Sequence, residues 1–274
     1  RPFFNRAISG LYTTGSTFKI ITASAGLETG KINSQTQIED TGVISVGAFQ
    51  FPNWYWLQYG KTDQDVDIIK ALKRSNDIFF YRVGEMVGIE KLEEWAKKFG
   101  VSKILGIDLP GEAAGRIRLQ RDWYLGDTYH TAIGQGDLEV TPLQVNFWTD
   151  VIANEGKLCR PSLLKTENLT LNTKNCKDIG LKKETIDLIT EGMKEACSTG
   201  GTGWPLFDFK IPVACKTGTA EYGDPKNKTH AWFTVFAPIE DPELTITVLV
   251  EGGGEGSNVA APIAKKILEE WFGR

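Results

Sequence analysis

Histidine is scarce in this 274-residue chain: His130 and His230 are the only two, and methionine also occurs only twice. Four cysteines, Cys159, Cys176, Cys197 and Cys215, stand in no Cys-x-x-Cys spacing. Together these supply too few ligands for a zinc site, and neither a metal nor a cofactor is expected. The cysteines leave two readings open. A disulfide such as Cys159–Cys176 would form in an oxidising compartment, whereas buried free thiols are the default where no pattern is present. Dense basic clusters are missing too, and a net charge of −4 gives no reason to expect nucleic acid as a partner. The longest clean apolar run, around Ile246–Val250, is far too short to span a bilayer. No internal repeat or inter-domain linker interrupts the chain.

What is present is ordinary globular material, 41% hydrophobic and 24% charged, enough for one large domain or two intimately packed ones. A buried, mostly apolar helix follows Ser16 and ends near Gly30. Residues 33–62, with Trp54, Tyr55 and Trp56, read as an irregular excursion with short strands. Helical spacing then covers 67–74, breaks at Ser75-Asn76-Asp77, resumes over 78–87, and runs from Ile89 to Phe99 before Gly100. Residues 106–127 are loop-like, and 132–137 form a tight turn. Pro142 opens another helix in its first turn. A polar surface loop or hairpin is expected at 165–180, a helix at 183–197 and a mobile glycine-rich segment at 198–203. Strands at 211–220, 230–237 and 244–250 precede a closing helix, Val259–Phe272. Strands that follow helices, rather than alternating with them, predict an α+β fold with an antiparallel sheet.

Three short motifs carry the chemistry. In Ser16-Thr17-Phe18-Lys19 the i, i+3 spacing sets Lys19 one turn from the Ser16 hydroxyl. A serine at a helix N-terminus also meets free backbone N–H groups and the positive end of the helix dipole. A nucleophile, an amine to take its proton and donors for an oxyanion are thereby within reach. Alone, Ser-x-x-Lys is weak, since an N-cap serine followed by an ordinary lysine looks the same. Ser75-Asn76-Asp77 and Lys216-Thr217-Gly218-Thr219 change its weight, because the three occur in order, at a helix start, a helix–helix turn and a strand. Each has a bland reading: a capping turn for the second, a half-exposed strand pair for the third. His230 reads as structural, Gly134-Gln135-Gly136 as turn geometry, and Trp54–Trp56 as packing rather than a ligand platform.

With these residues the chain resembles the transpeptidase domain of class B penicillin-binding proteins, most closely the elongation type. The likeness extends over nearly the whole length, through Asn5-Arg6-Ala7, Gly106–Leu109, Gly126-Asp127-Thr128, Ile133–Gly136, Thr141–Gln144, His230–Phe233 and Glu251–Gly254. It implies a serine β-lactamase/transpeptidase-like fold: an antiparallel sheet flanked by helices, with an inserted all-helical region at about 63–200. The resemblance makes 1–274 one transpeptidase domain that starts after the family's first two strands, without the upstream membrane helix and pedestal domain.

It implies a D,D-transpeptidase that cross-links peptidoglycan stem peptides through a serine acyl-enzyme and is acylated and inhibited by β-lactams. Ser16 would be the nucleophile, Lys19 its base and Ser75 a proton relay. Asp77, Lys216, Thr217, Gly218 and Thr219 would hold substrate, and the backbone N–H groups of Ser16 and Thr219 would form the oxyanion hole. Asp77 departs from the commoner asparagine. The implied partners are stem peptides, β-lactams and a membrane glycosyltransferase of the SEDS (shape, elongation, division and sporulation) family. The implied location is the periplasmic or extracytoplasmic face of the cytoplasmic membrane. A class D-like serine β-lactamase and a non-catalytic β-lactam sensor are the alternatives. The first would need a group that activates water for deacylation, and class D enzymes resemble one another in a Ser-x-Val second motif that Asp77 breaks.

Overall fold

The computed structural model describes residues 3–117, 122–164, 176–226 and 228–273. Its elements in order are α1 (Arg6–Ser9), a 3-10 turn (Gly15–Phe18), α2 (Lys19–Glu28), β1 (Ile38–Glu39), β2 (Val43–Val46), β3 (Phe49–Pro52), α3 (Trp54–Tyr59) and β4 (Asp65–Val66). There follow α4 (Ile68–Arg74), α5 (Asp77–Val87), α6 (Ile89–Lys98), β5 (Arg116–Ile117), α7 (Leu125–Ala132), β6 (Leu138–Glu139) and α8 (Pro142–Ala153). The chain closes with β7 (Lys157–Cys159), β8 (Cys176–Asp178), α9 (Lys183–Ala196), β9 (Ala214–Glu221), β10 (Thr229–Ala237), β11 (Leu244–Val250) and α10 (Ala261–Phe272).

The main sheet is antiparallel in the order β11-β10-β9. Central β10 is buried on both faces, and its alternation sorts its side chains into two cores. Trp232 and Phe236 join the large cluster with Phe18 and Ile20 of the segment that follows Ser16. Ala231, Phe233 and Val235 point the other way, against Ala260, Ala261, Ala264 and Leu268 around the start of α10. The register pairs Lys216 with Thr234 and Cys215 with Val235, so Lys216 faces the helices and Cys215 faces α10. This is the α+β architecture with a helix-flanked antiparallel sheet that the strand-after-helix order predicts. Between 63 and 200 the helices α4–α9 dominate, accompanied by the small ladders β5–β6 and β7–β8.

Several local expectations are corrected. Trp54–Trp56 lie on a short helix inside the 33–62 excursion, because Gly60 supplies a left-handed C-cap (φ 61°). Gly126 lies inside α7 rather than a loop. Asp127 caps the Tyr124 N–H and starts the helix early, and only a glycine leaves room for the Phe51 ring, 2.8 Å from where a Cβ would sit. The cysteines are not free thiols: Cys159–Cys176 and Cys197–Cys215 are disulfides. The segment 198–203, expected to be mobile, is tied down by Gly203 N–H to the Ala196 carbonyl (2.7 Å) and Arg74 to the Gly200 carbonyl (2.8 Å). Of the loop or hairpin expected at 165–180, residues 165–175 lie outside the described residues, and β8 pairs with β7 beyond them.

Candidate active site

The N-terminus of α2 and the edge of β9 meet in contact too close for side chains. Gly15 adopts φ +53°, and a Cβ there would overlap the Thr219 carbonyl. A Cβ on Gly218 would come within 2.7 Å of the Thr14 carbonyl and 2.9 Å of Thr17 Cγ2. Glycine at both positions lets the strand lie directly against the turn that carries Ser16. The Gly134 carbonyl accepts the Thr14 and Gly15 N–H groups at 3.1 and 2.8 Å, and the Gln135 side chain reaches the Thr219 carbonyl at 3.4 Å. Because a strand residue's N–H and C=O share an edge, the Thr219 N–H also faces this side.

Ser75 occupies the junction of α4 and α5 in a left-handed conformation (φ 53°, ψ 40°), with Asn76 as the N-cap of α5. Such a conformation persists in a non-glycine residue only where the surroundings enforce it. Here a buried polar network does so. Asp40 accepts from the Gly42 N–H, Asn53 Nδ2, the Asp63 N–H and Asn76 Nδ2, at 2.8–2.9 Å. Asp63 in turn accepts from Arg74 Nε at 2.9 Å and from Asn76 Nδ2 at 3.2 Å. Asn53 Oδ1 accepts the Asp77 N–H at 3.1 Å. These residues come from the 33–62 excursion and the turn after it, where no spacing in the sequence signals them.

A chain of polar atoms joins the three motifs. Lys19 Nζ donates to the Ser75 carbonyl (2.7 Å), Ser75 Oγ (3.3 Å) and Asp77 Oδ1 (2.6 Å). Lys216 Nζ donates to the same Ser75 Oγ at 2.8 Å and to the Thr217 carbonyl at 3.0 Å. Both lysines are fully buried. Burial pushes the Lys19 amine below its ordinary range, against the opposing pull of the Asp77 carboxylate. Lys216 is pushed well below its usual value, by burial first and then by the neighbouring Lys19, with Asp77 working the other way. Asp77, expected to meet substrate, has Oδ1 on Lys19 and Oδ2 on the Trp54 N–H at 2.9 Å.

Above these amines lies a cleft of about 970 Å³. Ser16, Ser75, Asp77, Thr217, Gly218 and Thr219 all line it, while Lys19 and Lys216 connect to it through Ser75. The sequence places these residues in three separate stretches, and the fold brings them together. Trp54, Gln135 and Thr202 also line the cleft, and their part in the site was not evident from sequence. Trp54 is locked by Nε1–H to the Arg74 carbonyl (2.9 Å), and the Arg74 guanidinium lies over the Trp54 and Tyr55 rings. His230 stacks on Tyr222 and accepts the Gly252 N–H at 3.1 Å, in keeping with a structural part. Among the described residues no group of three or more His, Cys, Asp or Glu is placed to hold a metal ion.

A serine in the turn before α2, two buried amines sharing one hydroxyl, and the Thr217–Thr219 edge of β9 thus lie along one cleft. Residues 1–269 match the penicillin-binding protein transpeptidase domain model, and the chain belongs to that family. Within it the likeness is to the elongation type. The peptidoglycan D,D-transpeptidase MrdA of Haemophilus influenzae is 34% identical over 99% of this chain and 46% of its own length. Penicillin-binding protein 2 of Pseudomonas aeruginosa, solved with WCK 5153, superposes with a TM-score of 0.89 at 32% identity, covering 99% of this chain and 63% of that one. The Helicobacter pylori homologue, solved in complex with MreC, gives 0.88 at 33% identity, covering 99% and 51%. The chain thus spans about half the length of the curated relatives it matches.

Proposed function

We propose that this chain catalyses D,D-transpeptidation of peptidoglycan stem peptides in cell-wall elongation. The observation that carries the reading is the Lys19–Ser75–Lys216 chain beneath a cleft bordered by Ser16 and by the Thr217–Thr219 edge. Ser16 Oγ attacks the penultimate D-alanine carbonyl while its proton passes to Lys19. The oxyanion meets the Ser16 and Thr219 N–H groups, where loss of one donor costs ~100- to 1,000-fold in rate. Collapse expels the terminal D-alanine as its amine, protonated from Lys19 through Ser75. An amine of a neighbouring stem then attacks the ester, gives up its proton along the same path and frees Ser16.

Lys19 acts as a base only when neutral, a form that its burial favours and its contact with Asp77 Oδ1 opposes. Substrate supplies the trigger. A terminal carboxylate bound by Lys216, Thr217 and Thr219 favours charge on Lys216, and Ser75 Oγ, bonded to both amines, is the route by which Lys19 hands over its proton. Gly218 lets the donor peptide lie beside β9 as an added strand. Two disulfides accord with an extracytoplasmic location. By likeness to its relatives, the proposed partners are a SEDS-family glycosyltransferase and an MreC protein.

Intact-mass spectrometry after incubation with a penicillin tests the proposal. The protein gains one drug mass that persists, and Ser16→Ala gains none. Absence of an adduct overturns the reading, and rapid drug turnover would replace it with a β-lactamase. A persistent adduct in a protein that cannot cross-link a peptide donor would make it a sensor.

A further inference from the structure

We propose that Thr202 is a positioning residue for the substrate-binding edge and that the Cys197–Cys215 disulfide holds it in place, so that efficient capture of a substrate carboxylate requires the bridge. The inference rests on the proposed roles of Ser16 as nucleophile and Thr217 as carboxylate ligand.

Cys215 directly precedes Lys216 on β9, and the alternation of the strand turns its side chain to the opposite face, towards α10. Cys197 is the C-cap of α9, and the bridge ties that helix end to the strand carrying Lys216 and Thr217. Gly203 lies against both sulfurs: a Cβ there would come within 2.6 Å of Cys215 Sγ and 3.1 Å of Cys197 Sγ. The neighbouring residue, Thr202, projects into the cleft rim, where its hydroxyl accepts from Thr217 Oγ1 at 2.8 Å. Opposite the bridge, Arg74 holds the Gly200 carbonyl and Lys73 pairs with Glu195 at 2.5 Å. Arg74 is the last residue of α4, immediately before Ser75. Segment 198–203 therefore links the wall that carries Ser75 to the wall that carries Thr217, with the disulfide at its base.

The hydroxyl pair gives this link a chemical use. Thr217 donates to Thr202. When a carboxylate arrives, the two O–H groups rotate together: Thr202 donates to Thr217, and Thr217 donates to the carboxylate. A hydroxyl at 202 thus frees Thr217 to donate outward without stranding its acceptor side. Cutting the bridge frees the end of α9, with Gly203 still held on the Ala196 carbonyl, from β9, and so lets Thr202 drift from Thr217. The second disulfide, Cys159–Cys176, joins the β7–β8 hairpin and touches none of these groups.

The test compares acylation rate constants for benzylpenicillin and its methyl ester, which share a reactive ring but differ in the free carboxylate. In Thr202→Val and in the double variant Cys197→Ala/Cys215→Ala, the preference for the free acid falls about 2- to 10-fold, as loss of the neutral Thr202-to-Thr217 hydrogen bond that backs Thr217 implies. Thr202→Ser and Cys159→Ala/Cys176→Ala keep the wild-type preference. An unchanged preference in Thr202→Val overturns the proposal, as does an equal loss for both ligands, which marks a merely structural role. If the double cysteine variant does not fold, reduction of the folded Cys159→Ala/Cys176→Ala variant replaces it, and an unchanged preference with Cys197–Cys215 cut overturns the part given to the bridge. A wild-type protein that forms no adduct at Ser16 would instead overturn the underlying functional reading.

Discussion

Asp77→Asn isolates the charge that governs the proposed base. In the wild type, Asp77 Oδ1 lies 2.6 Å from Lys19 Nζ, with Lys19 fully buried. Burial alone drives the Lys19 amine down, and the carboxylate is what pulls it back up. An opposite charge at such a distance displaces a pKa by about 1–3 units. Asparagine keeps the shape and removes the charge. Its oxygen can still accept the Trp54 N–H, and its NH₂ can then donate to a neutral Lys19, whose lone pair becomes an acceptor. The variant therefore favours the uncharged amine.

The assay is the pH profile of the acylation rate constant with a fluorescent penicillin. Acylation needs neutral Lys19, so its rate climbs with pH through the effective pKa of that amine. Loss of Asp77 moves the midpoint of the acid limb to lower pH by about 1–3 units. The midpoint is read independently of amplitude, so any loss of substrate contacts at Asp77 does not obscure it. An unmoved limb, or one displaced to higher pH, would refute both the base assignment and the part given to the ion pair.

Two further substitutions probe what supports the site. Asp40→Ala strands four buried donors, and at least about 3 kcal/mol of stability should be lost, which lowers Tm by roughly 6–12 °C in a chain of this size. Calorimetry that shows a fall below about 2 °C would mean the network does not hold the Ser75 turn. Lys216→Met concerns stability against pH. The folded-state pKa of Lys216 lies well below 10.5, so between the two values the unfolded chain carries a proton that the folded chain lacks. Wild-type stability therefore rises with pH through that window and is lost as pH falls. Methionine removes this dependence, and its stability advantage in urea denaturation should shrink as pH rises towards 10. A constant difference would refute a depressed Lys216.

Much of the site was legible because its signals are local. The 3-10 turn that carries Ser16 runs directly into Lys19 at the start of α2, with the Lys19 N–H on the Ser16 carbonyl, and Gly100 and Pro142 punctuate their helices where expected. The two-faced pattern of β10 follows from the period of two in any strand. The Ser75-Asn76-Asp77 turn carries its own cap, with Asn76 Oδ1 on the Phe79 N–H at 2.9 Å. What escaped were the relations between distant segments. Cysteine pairing depends on where α9 ends relative to β9, and nothing in their spacing says so. The requirement for glycine at 218 comes from the Thr14 carbonyl, about two hundred residues earlier in the chain.

By itself, then, the chain's sequence determined most of the helices, the two faces of β10 and the three motifs, because each depends on neighbours within a few residues. Tertiary structure alone decided that Asp77 pairs with Lys19, that both lysines share one hydroxyl, and that Asp40 anchors the turn which presents it. Those outcomes depend on desolvation and on hydrogen-bond partners delivered by loops, and a buried charge or donor takes its character from whatever the fold sets within about 3 Å of it.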